Sequence, residues 1–518
     1  MRVLFVQPAP FEPGRLGMEN ACWLSEPVAF TSLAAMIPEH SCMVLDLRLE
    51  PDGTLNRTLR DFRPDIVATT SMTTDCYQAK AILECARCTL GDSVFTIVGG
   101  HHPTLAPEDF DAACIDALCI GEGEETFKEL VDHLANGGKK TELHAIAGLL
   151  FRDDSQALTP TAKRAQSRAL DSFPMPRREL IKKYSGSYFF FNANPMASIS
   201  TSRGCSYDCN FCAIWEFYER KTRFLSAKAV CDQLEKIEEQ FVFLLDDNFL
   251  THRGRLEELC DEIEKRGIKK MWGTQGRTDF VAKNPDMMKR LRKVGLTLLV
   301  SGYETNDDKG LQALKKSNAA KENQTAAKIL NDLGIAQFGI FMVRPDFDHA
   351  DFDFLYKSID EMRISFPIIT INTPLPGTQL RKQLQDQLLT EDSRLFDLLH
   401  CVLPTKLPRD EFYTRFTENY RRPWLHEGTR AFLRNRMDYV SASWRGTLKW
   451  VRMMLAYHPV MTNPESHLRD ELGIIPRDVT MKNALERALP SAPLRKAARR
   501  PQPGLGKSLP ILNDAAAE

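Results

Sequence analysis

The sequence alternates short apolar runs with intervals of helix length, and it does so twice. In the first 135 or so residues the runs are Val3-Leu4-Phe5-Val6, Cys42-Met43-Val44-Leu45, Asp65-Ile66-Val67-Ala68 and Val94-Phe95-Thr96-Ile97-Val98. Apolar runs of this length, separated by enough chain for a helix, predict a parallel, doubly wound sheet. Ligands in such sheets bind beyond the carboxyl ends of the strands. Pro8, the stretch Thr70-Ser71-Met72-Thr73-Thr74 and Gly99-Gly100-His101-His102-Pro103 fall at that edge.

The second alternation begins near residue 196 and is more regular. Ala197 to Ser200, Phe241 to Leu245, Met271 to Thr274, Leu296 to Val300, Gln337 to Val343 and Ile368 to Ile371 read as strands, with amphipathic segments such as Ser226 to Gln240 and Gly254 to Arg266 between them. Six βα units predict a partial or complete β/α barrel, whose chemistry sits at the carboxyl ends of the strands. Asp246-Asp247-Asn248, Arg277 and Glu304 fall there.

At 518 residues the chain exceeds one hydrophobic core. The expected division is an N-terminal domain over 1–138, a connection over 139–195, a barrel over 196–385, a helical region over 386–488 and a disordered tail over 489–518. The connection is marked by Gly/Lys-rich and then polar composition, ending in Phe173-Pro174-Met175-Pro176 and the aromatic patch Tyr188-Phe189-Phe190-Phe191. Five prolines from Pro490 to Pro510 mark the tail. The helical region carries Trp424, Trp444, Trp450 and an apolar-basic run from Leu448 to Leu455. Such a run suits either packing against the barrel or lying on a bilayer surface, and barrel packing is the favoured reading.

Lys+Arg 68 against Asp+Glu 69 leaves a net charge of -1, so no global field gathers nucleic acid. Neither a signal peptide nor an apolar stretch long enough to span a bilayer is evident, and the expected address is cytoplasmic, with peripheral contact to the inner membrane as the variant. Thirteen Cys, an odd number scattered over a long chain, favour reduced thiols. Positions such as Cys22, Cys42, Cys76 and Cys260 read as small buried hydrophobes.

Three cysteines differ. Thr201-Ser202-Arg203-Gly204-Cys205-Ser206-Tyr207-Asp208-Cys209-Asn210-Phe211-Cys212 has the spacing C-x3-C-x2-C immediately after the first barrel strand. Iron–sulfur cubanes are held by thiolates, normally four. Three close together without a fourth nearby would leave one iron open to an exogenous donor. A zinc site would call for a second, distant pair of ligands, which the sequence lacks.

With its aromatic Phe211 before the last Cys, this segment resembles the radical S-adenosylmethionine (SAM) superfamily over roughly residues 196–380. The resemblance implies a 4Fe-4S cluster on Cys205, Cys209 and Cys212, SAM on the open iron, and reductive cleavage of SAM to a radical that abstracts hydrogen. It implies an external electron donor such as flavodoxin or ferredoxin. It also implies that Asp246 and Asp247 stand at the SAM amino group, and that Arg277 and Glu304 suit its carboxylate and ribose; each could instead be a helix cap or a barrel-mouth salt bridge.

Ahead of the barrel, Gly99-Gly100-His101-His102-Pro103-Thr104 and Gly121-Glu122-Gly123-Glu124-Glu125-Thr126 follow apolar strands and precede helices. Glycines there allow tight turns and close approach of backbone to ligand. Together with the barrel they resemble the cobalamin-binding domain of cobalamin-dependent radical SAM enzymes, which implies cobalamin contacts from Ser71, Gly99, Gly100, His101, Pro103, Gly121, Glu122, Gly123 and Glu124. The D-x-H-x-x-G element of other cobalamin proteins is absent. A cobalt without a lower His ligand is therefore implied, with His101 as a polar contact to the corrin.

Within that class the chain most resembles hopanoid C-3 methylases, followed by methylases of bacteriochlorophyll side chains. The similarity rests on Trp215-Glu216-Phe217-Tyr218, on Asn372-Thr373-Pro374-Leu375-Pro376-Gly377-Thr378, and on Arg394-Leu395-Phe396-Asp397 through His400 to the segment from Leu403 to Pro408. It implies methylation of a small hydrophobic polycyclic substrate at an unactivated carbon, through methylcobalamin and a substrate radical. Cyclisation or rearrangement without methyl transfer is the alternative within the class.

Overall fold

The computed structural model describes residues 1–9, 23–167, 169–191, 193–421, 426–430 and 462–471. The N-terminal sheet contains β1 (Arg2–Gln7), β3 (Ser41–Asp46), β4 (Ile66–Thr70), β5 (Phe95–Gly99), β6 (Ala117–Cys119), β7 (Leu149–Arg152) and β8 (Leu158–Pro160) in the order β3-β1-β4-β5-β6-β7-β8. The first five strands pair in parallel. Their side chains fill two layers: Val3, Phe5, Ile66, Ala68, Phe95 and Ile97 on one face, and Leu4, Val6, Val67 and Val98 on the other. Burial on both faces is why these strands read as continuous apolar runs. Strand order reverses at β1, between β3 and β4, which makes the crevice at the carboxyl ends of β1 and β4 the topological switch point.

The interval 139–195, read as a connection, is more built than that. β7 and β8 form a hairpin that extends the sheet in antiparallel fashion. The turn is closed by Asp153, whose Oδ1 accepts from the backbone N–H of Ser155 (2.9 Å) and of Ala157 (3.3 Å). β7 alternates buried and half-buried residues, a weaker sequence signal than a buried parallel strand gives.

The second sheet is β10 (Met196–Ile199), β13 (Phe241–Leu244), β14 (Met271–Gln275), β15 (Leu296–Glu304), β16 (Ala336–Val343) and β17 (Phe366–Ile371), paired in that sequential order and all parallel. Sequential order with helical crossovers is β/α barrel topology; β10 and β17 do not pair among the described residues, so the barrel stays open. A two-residue ribbon, β2 (Trp23–Leu24) with β9 (Phe189–Phe190), brings Trp23, Phe190 and Phe191 into it, while Tyr188 and Phe189 pack against the N-terminal sheet. The Phe190 ring stacks on Phe243 (5.0 Å between centroids), Trp23 lies 4.9 Å from Phe243, and Phe191 lies 4.3 Å from Phe338. Burying a ring of this size stabilises by ~1.5–3 kcal/mol. The plug covers the amino-terminal ends of the strands and leaves the carboxyl ends for chemistry.

A last ribbon, β11 (Ser202–Arg203) with β12 (Arg223–Phe224), frames the segment that carries the three cysteines. The helix Arg409–Arg421 packs Phe412, Tyr413 and Phe416 against Val343, Ile369 and Ile371 of the barrel. The run from Leu448 to Leu455, the tryptophans 424, 444 and 450, and the expected tail lie outside the described residues. No described helix is long and apolar enough to cross a membrane.

Candidate active site

Asp246 explains how the cysteine segment leaves β10 in a fixed direction. Its buried carboxylate accepts from the backbone N–H of Thr201 (2.6 Å) and Ser202 (3.0 Å) and from both hydroxyls (2.5 and 2.6 Å). With all these partners, and Arg255 3.7 Å away, Asp246 braces the loop and does not line the cavity. The expectation that it stands at the SAM amino group is therefore corrected: adjacent residues after a strand point to opposite sides, and only Asp247 faces inward. Asp247 Oδ2 accepts from the Gly204 N–H (2.8 Å), and burial pushes its carboxyl up to about 6.

Beyond Gly204 the loop is pinned by its backbone. Cys212 N–H donates to the Cys209 carbonyl (3.1 Å), Trp215 Nε1 donates to the same oxygen (2.9 Å), and Asn210 donates to the Leu314 and Ala313 carbonyls (3.2 and 2.9 Å). Cys205, Cys209 and Cys212 then line one cavity with Tyr207, Phe211, Asp247, Asn248, Gln275, Arg277, Glu304 and Lys316. Burial pushes the Cys205 thiol up and the Cys212 thiol up to about 12. Thiols so placed become thiolates by coordinating a metal, not by losing protons to water.

Arg277 and Glu304, expected to meet SAM, are both in this cavity. Arg277 Nε donates to Asp279 Oδ1 (2.9 Å), and its Nη1 lies 3.8 Å from Cys209 Sγ. Glu304 accepts from Lys316 Nζ (2.7 Å), with both side chains at most 7% exposed. A Cβ at Gly302 would lie 2.2 Å from Glu304 Oε1 and 2.7 Å from Lys316 Nζ, so the glycine makes room for the pair. Glu304 itself sits at φ +60, a costly conformation for a side chain of its size. Lys316 and Tyr207 had no role in the sequence reading, which placed Asn248 at this edge but gave it no contact of its own. Asn248 adjoins the flagged Asp pair, but Lys316 lies in a loop with no motif of its own.

Among the buried polar atoms with no partner within the protein are Asn248 Oδ1, Asn248 Nδ2 and Arg277 Nη2 at the cysteine cavity, and His101 Nε2 at the facing domain. Buried polar atoms are ordinarily satisfied. Three thiols beside unsatisfied donors and acceptors suit an iron–sulfur cluster carrying a polar ligand.

The N-terminal turns meet this site. Ser71 N–H donates to the Gly99 carbonyl (3.0 Å), and the Ser71 carbonyl accepts from His102 N–H (3.1 Å). Gly100 stands at φ +107, where a Cβ would lie 2.6 Å from Thr70 Oγ1. Pro103 is buried in the short helix His101–Leu105, and Thr104 Oγ1 links its two turns by donating to the Gly100 carbonyl (2.8 Å) and accepting from Gly121 N–H (3.0 Å). The His101 ring lies 4.5 Å from Phe217, five residues after Cys212. Gly100→Ala is expected to lower unfolding free energy by ~1–3 kcal/mol through backbone strain, read by denaturant melts, and to weaken cobalamin retention in an absorbance titration.

Glu122 and Glu124, expected at the corrin, instead carry ion pairs across the domains. Glu122 binds Arg203 (2.9 Å) and Arg223 (2.7 Å), and Glu124 binds Arg203. Gly123 caps the helix Glu124–Ala135. Arg203 and Arg223 are cross-strand partners in the β11–β12 ribbon. Like charges directly opposite each other are unfavourable, and the carboxylates from the other domain neutralise them.

The comparisons agree with this architecture. Residues 22–131 match the B12 binding domain and residues 199–359 the Radical SAM superfamily. The hopanoid C-3 methylase of Methylococcus capsulatus is 28% identical over 93% of this chain and 92% of its own. The anaerobic magnesium-protoporphyrin IX monomethyl ester cyclase of Rubrivivax gelatinosus is 25% identical over 82% of this chain and 78% of its own. In fold, the solved cobalamin-dependent S-adenosylmethionine radical enzyme OxsB superposes with a TM-score of 0.63 at 16% identity, covering 95% of this chain and 84% of that one. With a B12 binding domain set directly against a cysteine-lined Radical SAM domain, the chain is similar to cobalamin-dependent radical SAM methyltransferases, and its two domains call for a 4Fe-4S cluster, SAM and cobalamin as cofactors.

Proposed function

We propose that this enzyme methylates an unactivated carbon of a polycyclic lipid, namely C-3 of a hopanoid. The observation that carries the reading is the meeting of the two cofactor regions: the His101 turn packs on Phe217, so a ligand on the N-terminal turns faces the cysteine cavity. Similarity to a hopanoid methylase along nearly the whole chain supports the substrate class.

When bound, the cluster with SAM supplies hydrogen-atom abstraction, and cobalamin supplies the methyl group that replaces the hydrogen. Cys205, Cys209 and Cys212 would hold the cluster on a loop stiffened by Asp246, with Phe211 in the same cavity. Asp247 and Asn248 would receive the amino group of SAM, and Arg277, with Lys316 held by Glu304, would balance its carboxylate. The aromatic plug at the amino-terminal ends keeps water from entering behind the reacting groups. Ser71, Gly99, Gly100, His101, Pro103 and Gly121 form the cobalamin face. The cluster would take its reducing electron from an external donor of flavodoxin or ferredoxin type.

The relatives that act on tetrapyrroles support a second reading, methylation or cyclisation of a bacteriochlorophyll-type side chain. Mass spectrometry of lipid and pigment extracts from cells with and without the gene separates them. The expected result is a hopanoid heavier by one methyl group only when the gene is present. A pigment that gains a methyl group while hopanoids stay unchanged overturns the lipid assignment, and a product altered without added methyl overturns methyl transfer.

A further inference from the structure

We infer that Arg277 tunes the reduction potential of the cluster by donating an N–H to the Cys209 sulfur, and that Tyr207 and Asp279 act as positioning residues for that contact. The inference rests on the reading that Cys205, Cys209 and Cys212 hold the cluster.

Arg277 follows β14 and its Nη1 lies 3.8 Å from Cys209 Sγ. Two side chains, themselves joined, fix the guanidinium there. Its plane lies against the Tyr207 ring, with the central carbon 3.6 Å from the ring centroid. Its Nε donates to Asp279 Oδ1 (2.9 Å), and the Tyr207 hydroxyl donates to Asp279 Oδ2 (3.3 Å), which closes the triangle. Arg277 and Asp279 are only 8% and 7% exposed. Tyr207 lies two residues before Cys209, so one loop provides both the sulfur and the surface that orients its donor.

Reduction adds negative charge to the cluster. A buried cation and an N–H aimed at a ligand sulfur stabilise the reduced form more than the oxidised one, and so raise the potential. Arg is suited to this because its planar fork stacks on an aromatic ring and donates from a fixed edge, which Lys cannot do. Asp279 carries the opposite charge. If it acted on the cluster directly it would lower the potential; acting through Arg277, it raises it.

The test is a redox titration of the full-length protein with its cluster reconstituted, without SAM, followed by the electron paramagnetic resonance of the reduced cluster. Arg277→Gln is expected to lower the reduced-to-oxidised ratio at fixed potential about tenfold, equivalent to about 59 mV for one electron. Arg277→Lys should lose less. Tyr207→Leu, which changes no charge, and Asp279→Asn should both shift the potential downward, and Tyr207→Phe should stay near the parent. An unchanged potential in Arg277→Gln overturns the tuning role. If that variant fails to take up its cluster, an unchanged Tyr207→Leu together with a raised potential in Asp279→Asn overturns the positioning role and the contact with it. Failure of the parent protein to form any cluster overturns the underlying cysteine reading instead.

Discussion

Cys209→Ala is expected to yield a folded protein that takes up no stable 4Fe-4S cluster and has lost all methylation. The loop does not depend on the sulfur for its shape, because the Cys209 carbonyl keeps its bonds from Cys212 N–H and Trp215 Nε1. Removing one of three thiolates leaves two irons without protein ligands, and clusters depend on their thiolates for retention. The thermodynamic cost to the apoprotein is that of an ordinary small truncation, about 1 kcal/mol. Cys231→Ala and Cys260→Ala are the informative controls. Both thiols are fully buried in the barrel's apolar layer, where burial pushes them up to about 11 and about 12. Their loss should cost similar stability and leave iron and sulfide content unchanged. A Cys209→Ala protein with a full complement of both elements would remove the cysteine triplet from the cluster.

The strand framework was legible in the sequence, because buried parallel strands write themselves as unbroken apolar runs. Ile66–Thr70 and Phe241–Leu244 differ from their expected bounds by one or two residues. What the sequence hid follows from chemistry that depends on the third dimension. The aromatic patch Tyr188-Phe189-Phe190-Phe191 looked like punctuation between domains, but Phe190 and Phe191 plug the barrel while Tyr188 and Phe189 pack into the N-terminal sheet's core, since nothing local tells a ring which sheet it will meet. Asp246 and Asp247 looked equivalent, and only the direction in which each leaves the strand separates brace from cavity wall. Lys316 became visible only when its loop folded back to Glu304. The two glutamates of the Gly121-to-Glu124 turn looked like cofactor contacts because the turn sits at a ligand-binding edge; their partners lie 79 to 101 residues away on the other domain.

Those glutamates give the second large effect. Glu122→Gln is expected to destabilise the protein by about 2–4 kcal/mol, because it leaves the buried Arg223 guanidinium without its carboxylate and opposite Arg203, which keeps only Glu124. Arg223 is 9% exposed, Arg203 22% and Glu122 12%, so water screens the pairs only partly. Burial alone would push the Glu122 carboxyl up; hydrogen bonds and charge from Arg223 and Arg203 outweigh it and hold the group below its ordinary value. A carboxyl depressed in the folded state stabilises fully above its unfolded pKa and loses that contribution as pH falls through its folded value. The stability gap between parent and Glu122→Gln should thus be full at neutral pH and narrow only below the ordinary carboxylate range. Adding Arg223→Gln to Glu122→Gln should recover part of the loss, since it removes one of the stranded charges, and a double-mutant cycle measures the coupling. Additive losses from the two substitutions would show that the pair carries no interdomain coupling. Because Arg203 and Arg223 stand at the two ends of the cysteine loop, the clamp also fixes that loop against the cobalamin turns. Loosening it should let SAM cleavage continue while methyl transfer falls behind, a rise in the ratio of cleaved SAM to methylated product that a purely structural brace elsewhere in the fold would not produce.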